Sequence, residues 1–330
     1  MRYGGRLLRA LAFAFAACGP VAVVAMQGGA SAPPLQAIDA AQRRLLESSA
    51  AIERLAGDHV MLLLRARLYR DAGDFRPGTH PLGEPRAAYA GFERNLIDLE
   101  QRSIEQLRSG HLSRMAEMRG AGEVWLRSSA DGSLQPVGVY VPRSYAARTP
   151  AALVVFLHGL RQGDDEVVGS PIVQRLSERS GAIVIAPYAR GDAGFEGLAA
   201  RDVADGLAAA QGAFAIDASR VDLAGFSMGA FAVYRIAAQH PERWHAVLAA
   251  AGAFTDEQRA ALARHLRGKT VYLVSGTADT IVPVAEMDAT AHVLRNAGAT
   301  VRTYRQRGAG HTLPALSPAL RRAWNEMTAR

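Results

Sequence analysis

From Glu123 onward, short and almost wholly apolar runs alternate with stretches of helical pattern, and this alternation constrains the fold more than anything else in the 330-residue chain. The strand-length runs are Ala152 to Leu157, Ala182 to Ala186, Val221 to Ala224, His245 to Ala251, Thr270 to Val274 and Thr300 to Tyr304. Helical patterns fill the gaps at Ala200 to Phe214, Met228 to Gln239 and Val284 to Asn296. A strand that is apolar throughout must be covered on both faces. The pattern therefore predicts an α/β fold, a mostly parallel central sheet with helices on either side. Ahead of it, Val124 to Leu126 and Gln135 to Val141 flank Asp131-Gly132 and read as a hairpin. Such a sheet carries its reactive side chains on loops at the carboxyl ends of its strands.

Residues 33–120 read differently, as a helical appendage before a sheet-bearing domain at 121–330. Leu45, Ile52, Leu55, Val60, Leu63, Leu64 and Leu68 recur at three- and four-residue spacing with Arg and Glu between them. Asp74 to Pro85 holds three prolines and two glycines and reads as a loop, followed by a second helical stretch over Arg86 to Gly110. Glu47, Glu53, Glu93 and Glu100 are expected to face solvent. No chemical motif lies in this segment, which could serve either as a cap over an active site or as a layer packed on the sheet.

Residues 1–32 resemble a targeting signal. Arg2, Arg6 and Arg9 precede the apolar run Ala10 to Ala17, and small residues follow, with Ala25 and Ala30 as cleavage points. Gly19-Pro20 interrupts the run, so no transmembrane span is expected. Cys18, the sole cysteine, ends Phe15-Ala16-Ala17-Cys18, close to a lipobox except for Phe15. A lipid anchor at Cys18 is the alternative to a plain secretory signal, and either way no internal disulfide can form. The expected location is periplasmic or extracellular. With 49% hydrophobic and 21% charged residues the chain is of ordinary globular composition. Its net charge of +7 comes almost entirely from arginine, with no basic run interleaved with aromatics, so no nucleic-acid partner is expected.

The sharpest chemical signal is Gly225-Phe226-Ser227-Met228-Gly229, directly after an apolar strand and at the start of a helix. A serine on a sharp strand-to-helix turn leaves no room for side chains two positions to either side, which accounts for both glycines. A serine hydroxyl needs a base to act as nucleophile, and the base needs an orienting acid. His311, in Gly308-Ala309-Gly310-His311-Thr312, lies on a loop after the last strand. His240 and His245 flank the turn after the nucleophile helix, and His265 and His292 fall in helical stretches. Asp279 ends Ser275-Gly276-Thr277-Ala278-Asp279 at a strand's carboxyl end, whereas Asp288 is helical and Asp256 is explained as a helix cap and stands as the alternative acid. His158-Gly159-Leu160 follows the strand ending at Leu157. The N–H groups of Leu160 and Met228 are candidates for an oxyanion hole, with His158 structural. Tyr188 and Phe195, after the next strand, are candidate walls for an acyl pocket. The histidines show no metal-ligand spacing, and neither metal nor cofactor is expected.

Together, His158-Gly159, the Gly225–Gly229 pentapeptide, Gly276-Thr277-Ala278-Asp279-Thr280-Ile281-Val282-Pro283 and Gly310-His311 resemble the α/β-hydrolase superfamily. Within it the chain is similar to polyhydroxybutyrate-depolymerase-like, feruloyl-esterase-like and phospholipase/carboxylesterase proteins over about Glu123 to Arg330. Ser129 to Pro136, Tyr140-Val141-Pro142 and Arg190 to Phe195 also resemble prolyl-oligopeptidase-like catalytic domains. The resemblance implies an exported serine hydrolase with Ser227 as nucleophile, His311 as base and Asp279 as acid, acting on a small or polymeric ester. Two alternatives stay open: a serine peptidase, and a hydrolase fold kept as an inactive binding module.

Overall fold

A computed structural model of the chain describes residues 33–74, 91–254 and 259–329. The leader read at 1–32 with Cys18, most of the proline-rich loop and Asp256 lie outside the described residues.

Eight strands form one sheet: β1 (Gly120–Arg127), β2 (Leu134–Val141), β3 (Ala151–Leu157), β4 (Ile183–Pro187), β5 (Ile216–Phe226), β6 (Ala246–Ala250), β7 (Thr270–Gly276) and β8 (Thr300–Gln306). Their spatial order is β1-β2-β4-β3-β5-β6-β7-β8. β1 and β2 pair antiparallel as a hairpin, β2 runs antiparallel to β4, and the remaining pairs are parallel. Expectation and structure agree on the α/β architecture, and the hairpin forms its antiparallel edge.

The apolar runs of β3 to β7 are buried because each of these strands feeds two cores at once, whereas the edge strand β8 has no buried residue. On β3, Leu153, Val155 and Leu157 face one core while Ala152, Val154 and Phe156 face the other, the two-residue alternation of a strand. The first core is closed by helices that include α6 (Leu198–Ala213), α7 (Met228–Gln239) and α9 (Val284–Asn296), through Val203, Leu207, Val233 and Leu294. The second is closed by α4 (Asp164–Gly169), α5 (Pro171–Ser180) and α10 (Leu313–Met327), through Val168, Leu176, Leu320 and Trp324.

None of α4, α5 and α10 was among the expected helices. α10 carries Pro314 and Pro318, and Pro314 falls in the first turn, where no N–H bond is required. Thr312 caps it by accepting from Ala315 N at 3.2 Å. β5 starts five residues before Val221 because its polar beginning, Asp217 to Arg220, is only partly covered.

The helical segment comprises α1 (Pro33–Ala56), α2 (Asp58–Asp74) and α3 (Phe92–Ser109), with α8 (Arg259–His265) much later in the chain. Ile38, Leu45, Ile52, Leu64, Leu68, Leu96 and Ile104 form a third core, which is completed by Trp125 of β1 and Leu134 of β2. The segment is thus packed on the hairpin edge of the sheet. Glu47 and Glu53 are exposed, but Glu100 is wholly buried, against the expectation of a solvent-facing residue. It lies opposite Arg67 on α2, a pairing between separate helices that helical spacing along one segment does not show.

Trp324 is fully enclosed, and its indole Nε1 donates to Ser180 Oγ at 3.2 Å. Trp324→Ala should lower unfolding stability by about 3–5 kcal/mol, read from denaturant unfolding followed by far-ultraviolet circular dichroism.

Candidate active site

Ser227 is the only residue between the end of β5 at Phe226 and the start of α7 at Met228, and its backbone sits at φ 51°, ψ −117°. L-residues avoid this region, so the surroundings must hold it there. A Cβ on Gly229 would lie 2.1 Å from the Leu157 carbonyl oxygen, and one on Gly225 would lie 2.5 Å from the Gly229 carbonyl carbon. The glycines therefore let the helix approach the sheet closely enough to force the turn. Ser227 N–H donates to Ala250 O at 2.9 Å and ties the elbow to β6.

Strain of this kind is concentrated around the site. Among the described residues the non-glycine positive-φ positions are Arg161, Ala189, Arg190, Phe195, Ser227 and Ala251. All six follow the carboxyl ends of β3, β4, β5 or β6, the edge of the sheet where reactive groups collect.

Two loops bring the other groups to Ser227. The loop after β7 carries Asp279 and the loop after β8 carries His311, and the two are bonded together. Thr277 N donates to Gln306 O at 3.0 Å, Ala278 N to Ala309 O at 2.9 Å and Gly308 N to Thr277 Oγ1 at 2.8 Å. Gly276 permits this closeness, since a Cβ there would lie 2.3 Å from Ala309 O.

His311 Nδ1 is 2.8 Å from Asp279 Oδ2, and His311 Nε2 is 2.8 Å from Ser227 Oγ. A carboxylate only accepts, so Nδ1 carries the proton and Nε2 is left to accept from the serine hydroxyl. Asp279 is buried, and its other oxygen accepts from Ile281 N at 2.9 Å and Val282 N at 2.8 Å. Burial pushes this carboxyl up, but the bonds from His311, Val282 and Ile281 outweigh it and hold it below the ordinary range. The three residues chosen from sequence meet in one hydrogen-bonded line. His240 and His245 lie elsewhere; His245 Nδ1 is 2.9 Å from Asp222, a different carboxylate.

The turn after β3 supplies the facing surface. Gly159 N–H is taken by Gln162 Oε1 at 3.0 Å, a residue that the sequence did not single out. Among the described residues no protein acceptor takes the N–H of Leu160 or of Met228, so both are free to bind a developing oxyanion. His158 is fully buried and bridges two carbonyls, with Nδ1 2.9 Å from Gly159 O and Nε2 2.9 Å from Tyr188 O. Burial drives its pKa down despite both contacts, which suits a structural imidazole.

The proposed pocket walls fare unequally. Tyr188 is half-buried and stacks on His158 at 6.1 Å between ring centroids. Phe195 is fully enclosed, 5.0 Å from the His158 ring, and belongs to the core; it is not the wall of an open pocket. Its position after a strand end pointed toward the site, but the ring is buried in the first core, on a backbone of positive φ. Arg190 in the same loop grips Asp131 at 2.7 Å and Asp202 at 2.7 Å, fastening the loop to the β1–β2 turn and to α6.

The sequence model of the phospholipase/carboxylesterase family matches residues 195–317, a span that includes Ser227, Asp279 and His311. Solved structures match the sheet domain. An S-formylglutathione hydrolase from Agrobacterium tumefaciens is 18% identical, over 64% of this chain and 95% of that one, with a TM-score of 0.52. The chain has the α/β-hydrolase fold. A fluorophosphonate-binding serine hydrolase of Staphylococcus aureus, 14% identical, matches over 64% of this chain and 100% of that one, TM-score 0.52. A thermostable esterase, 17% identical with a TM-score of 0.52, matches over 63% of this chain, which spans 62% of that esterase. No curated protein matches the chain in sequence.

Two outcomes follow from this geometry. Glycine tolerates the backbone of position 227 and alanine does not, so Ser227→Gly should be more stable than Ser227→Ala by about 1–2 kcal/mol in denaturant unfolding. Asp279 has a depressed folded pKa, so its contribution is complete above the ordinary aspartate value of about 4 and is lost as pH falls through the lower folded value. The stability difference between wild type and Asp279→Asn, measured by thermal unfolding against pH, should shrink below about pH 4.

Proposed function

We propose that this α/β-hydrolase is an exported serine esterase that cleaves carboxylic esters through an acyl-enzyme on Ser227. The observation that carries the reading is the continuous line from Ser227 Oγ through His311 to Asp279, with both bonds at 2.8 Å. His311 Nε2 removes the hydroxyl proton as Oγ attacks the acyl carbon, and Asp279 holds the imidazole and balances its positive charge. The N–H groups of Met228 and Leu160 receive the oxyanion, a contribution of about 3 kcal/mol for each well-placed donor. The C–O bond then breaks, and the alcohol leaves with the proton from His311. Water, activated by the same imidazole, releases the acid and restores Ser227.

No step in this sequence calls for a metal, and among the described residues no group of histidines and carboxylates could hold one. Export rests on the basic and apolar leader from Arg2 to Met26, with Cys18 as the alternative anchor point. No described helix is long and apolar enough to cross a membrane. The substrate is a small or polymeric ester, held from the side of Leu160 and Tyr188.

Hydrolysis of p-nitrophenyl esters from acetyl to palmitoyl by the purified protein tests the reading. Wild type should turn over at least one ester, and Ser227→Ala should lose about 10⁴-fold or more in kcat. A folded protein that leaves every ester intact but cleaves aminoacyl anilides would move the assignment to a peptidase. Failure on both, with no labelling by a fluorophosphonate, would make the fold a binding module.

A further inference from the structure

The helical layer meets the sheet domain through buried charges near the oxyanion turn. Arg67 of α2 is 3% exposed and has no carboxylate of its own helix within reach; its partners come from three other elements. Its Nη1 donates to Glu123 of β1 at 2.6 Å, and its Nη2 donates to Asp164, the first residue of α4. Its Nε faces Asp165 at 3.6 Å and Glu100 of α3 at 3.9 Å. One turn further along α2, Arg70 donates to Asp165 at 2.6 Å and to Glu166 at 3.0 Å. Two arginines of the appendage thus grip the first three residues of the helix that directly follows the turn 158–163.

A second contact reaches the other side of that turn. The Arg67 guanidinium lies 5.7 Å from the centroid of the Tyr188 ring. Tyr188 in turn stacks on His158 and binds it through its carbonyl, and His158 precedes Gly159 and Leu160. Gly163, the last residue of the turn, has its N–H held by Glu166 at 3.1 Å. The turn itself is strained at Arg161, whose φ is 63° and whose N–H is held by Asp192 Oδ1 at 2.6 Å, so its shape depends on that bond and on what is anchored at both ends. Arg67 touches both anchors.

We propose that Arg67 is a positioning residue for ester hydrolysis, by which the helical layer holds the Leu160 N–H in place to receive the oxyanion. This inference rests on the esterase reading given above. It assigns the appendage the role of a brace: its described contacts run to β1, β2, α4 and, through Arg67, to the Tyr188 ring. The guanidinium fork suits the task because it meets Glu123 and Asp164 with separate N–H groups while its plane faces the Tyr188 ring. A lysine ammonium in its place keeps the charge but cannot make these contacts together.

The test compares Arg67→Lys and Asp164→Asn with Ile52→Val, which loosens the third core at the fully buried Ile52 and leaves the arginine contacts alone. Asp164→Asn is nearly isosteric and still offers an acceptor, so it keeps the measurement available if the arginine variant folds poorly. Steady-state kinetics on a p-nitrophenyl ester and the rate of inactivation by a fluorophosphonate are read well below each variant's thermal midpoint. Arg67→Lys should lose about 10- to 100-fold in kcat with KM within twofold, since an oxyanion donor acts chiefly in the transition state. Fluorophosphonate inactivation should slow in parallel, Asp164→Asn should fall several-fold in the same direction, and Ile52→Val should keep wild-type kcat. Wild-type kcat in a folded Arg67→Lys, or an equal loss in Ile52→Val, would overturn the inference. A wild type inactive on every ester would overturn the esterase reading instead.

Discussion

Ser227 holds a backbone conformation that a serine adopts only under constraint, and the constraint is the close approach of α7 to β3 and β5. Gly229 lies so near the Leu157 carbonyl that a single methyl group has no space there. That approach sets the height of the hydroxyl above the sheet, and with it the point on which His311 must converge. Among the described residues the Met228 N–H, in the first turn of α7, meets no protein acceptor. The cost of the strained turn is met by the buried strands on both sides, whose side chains fill two separate cores.

Around this fixed point the remaining parts arrive by different routes. Asp279 and His311 come from neighbouring loops bonded to each other backbone to backbone, so their relative position does not depend on long side chains. The turn bearing Leu160 meets the loop after β4, where the Arg161 N–H donates to the Asp192 side chain at 2.6 Å. Its ends are held by His158 on one side and by α4 on the other, and both lead to charges buried beneath the helical layer. Six carboxylates there, Asp71, Glu100, Glu123, Asp164, Asp165 and Glu166, surround two arginines. Burial pushes Glu100 and Asp164 well above the ordinary carboxyl range, whereas Asp165, despite its burial, is drawn below it by Arg67 and Arg70. Such a network has a narrow set of low-energy arrangements, because each unpaired charge in an enclosed site is costly. It is therefore suited to fixing geometry more than to adding stability.

The sheet domain was readable from sequence because β3, β4, β6 and β7 are covered on both faces and so are apolar residue after residue, while β8 is an edge strand with no buried residue. The strands from β3 to β8 fall where those runs lie, and α7 and α9 lie where their helical patterns do. What escaped was amphipathic in a less regular way. α10 begins among prolines, α4 is only six residues long, and the opening of β5 is polar because little covers it. Phe195 shows the same limit at the level of one side chain: its place in the chain suggested a pocket, but the ring is enclosed in the first core.

The sequence by itself determined the elbow, the order serine, acid, histidine along the chain, and the sheet that carries them. Those features depend on local requirements: glycines where no side chain fits, apolar runs where a strand is enclosed, loops where strands end. Only the tertiary structure decided that Glu100 is buried, that Gln162 takes the Gly159 N–H, and that Arg67 pairs an otherwise motif-free helical segment with Glu123 of β1 and Asp164 of α4. These contacts link residues separated by up to about a hundred positions, and no periodicity within either partner segment reveals them, because burial of a charge depends on what the rest of the chain places around it.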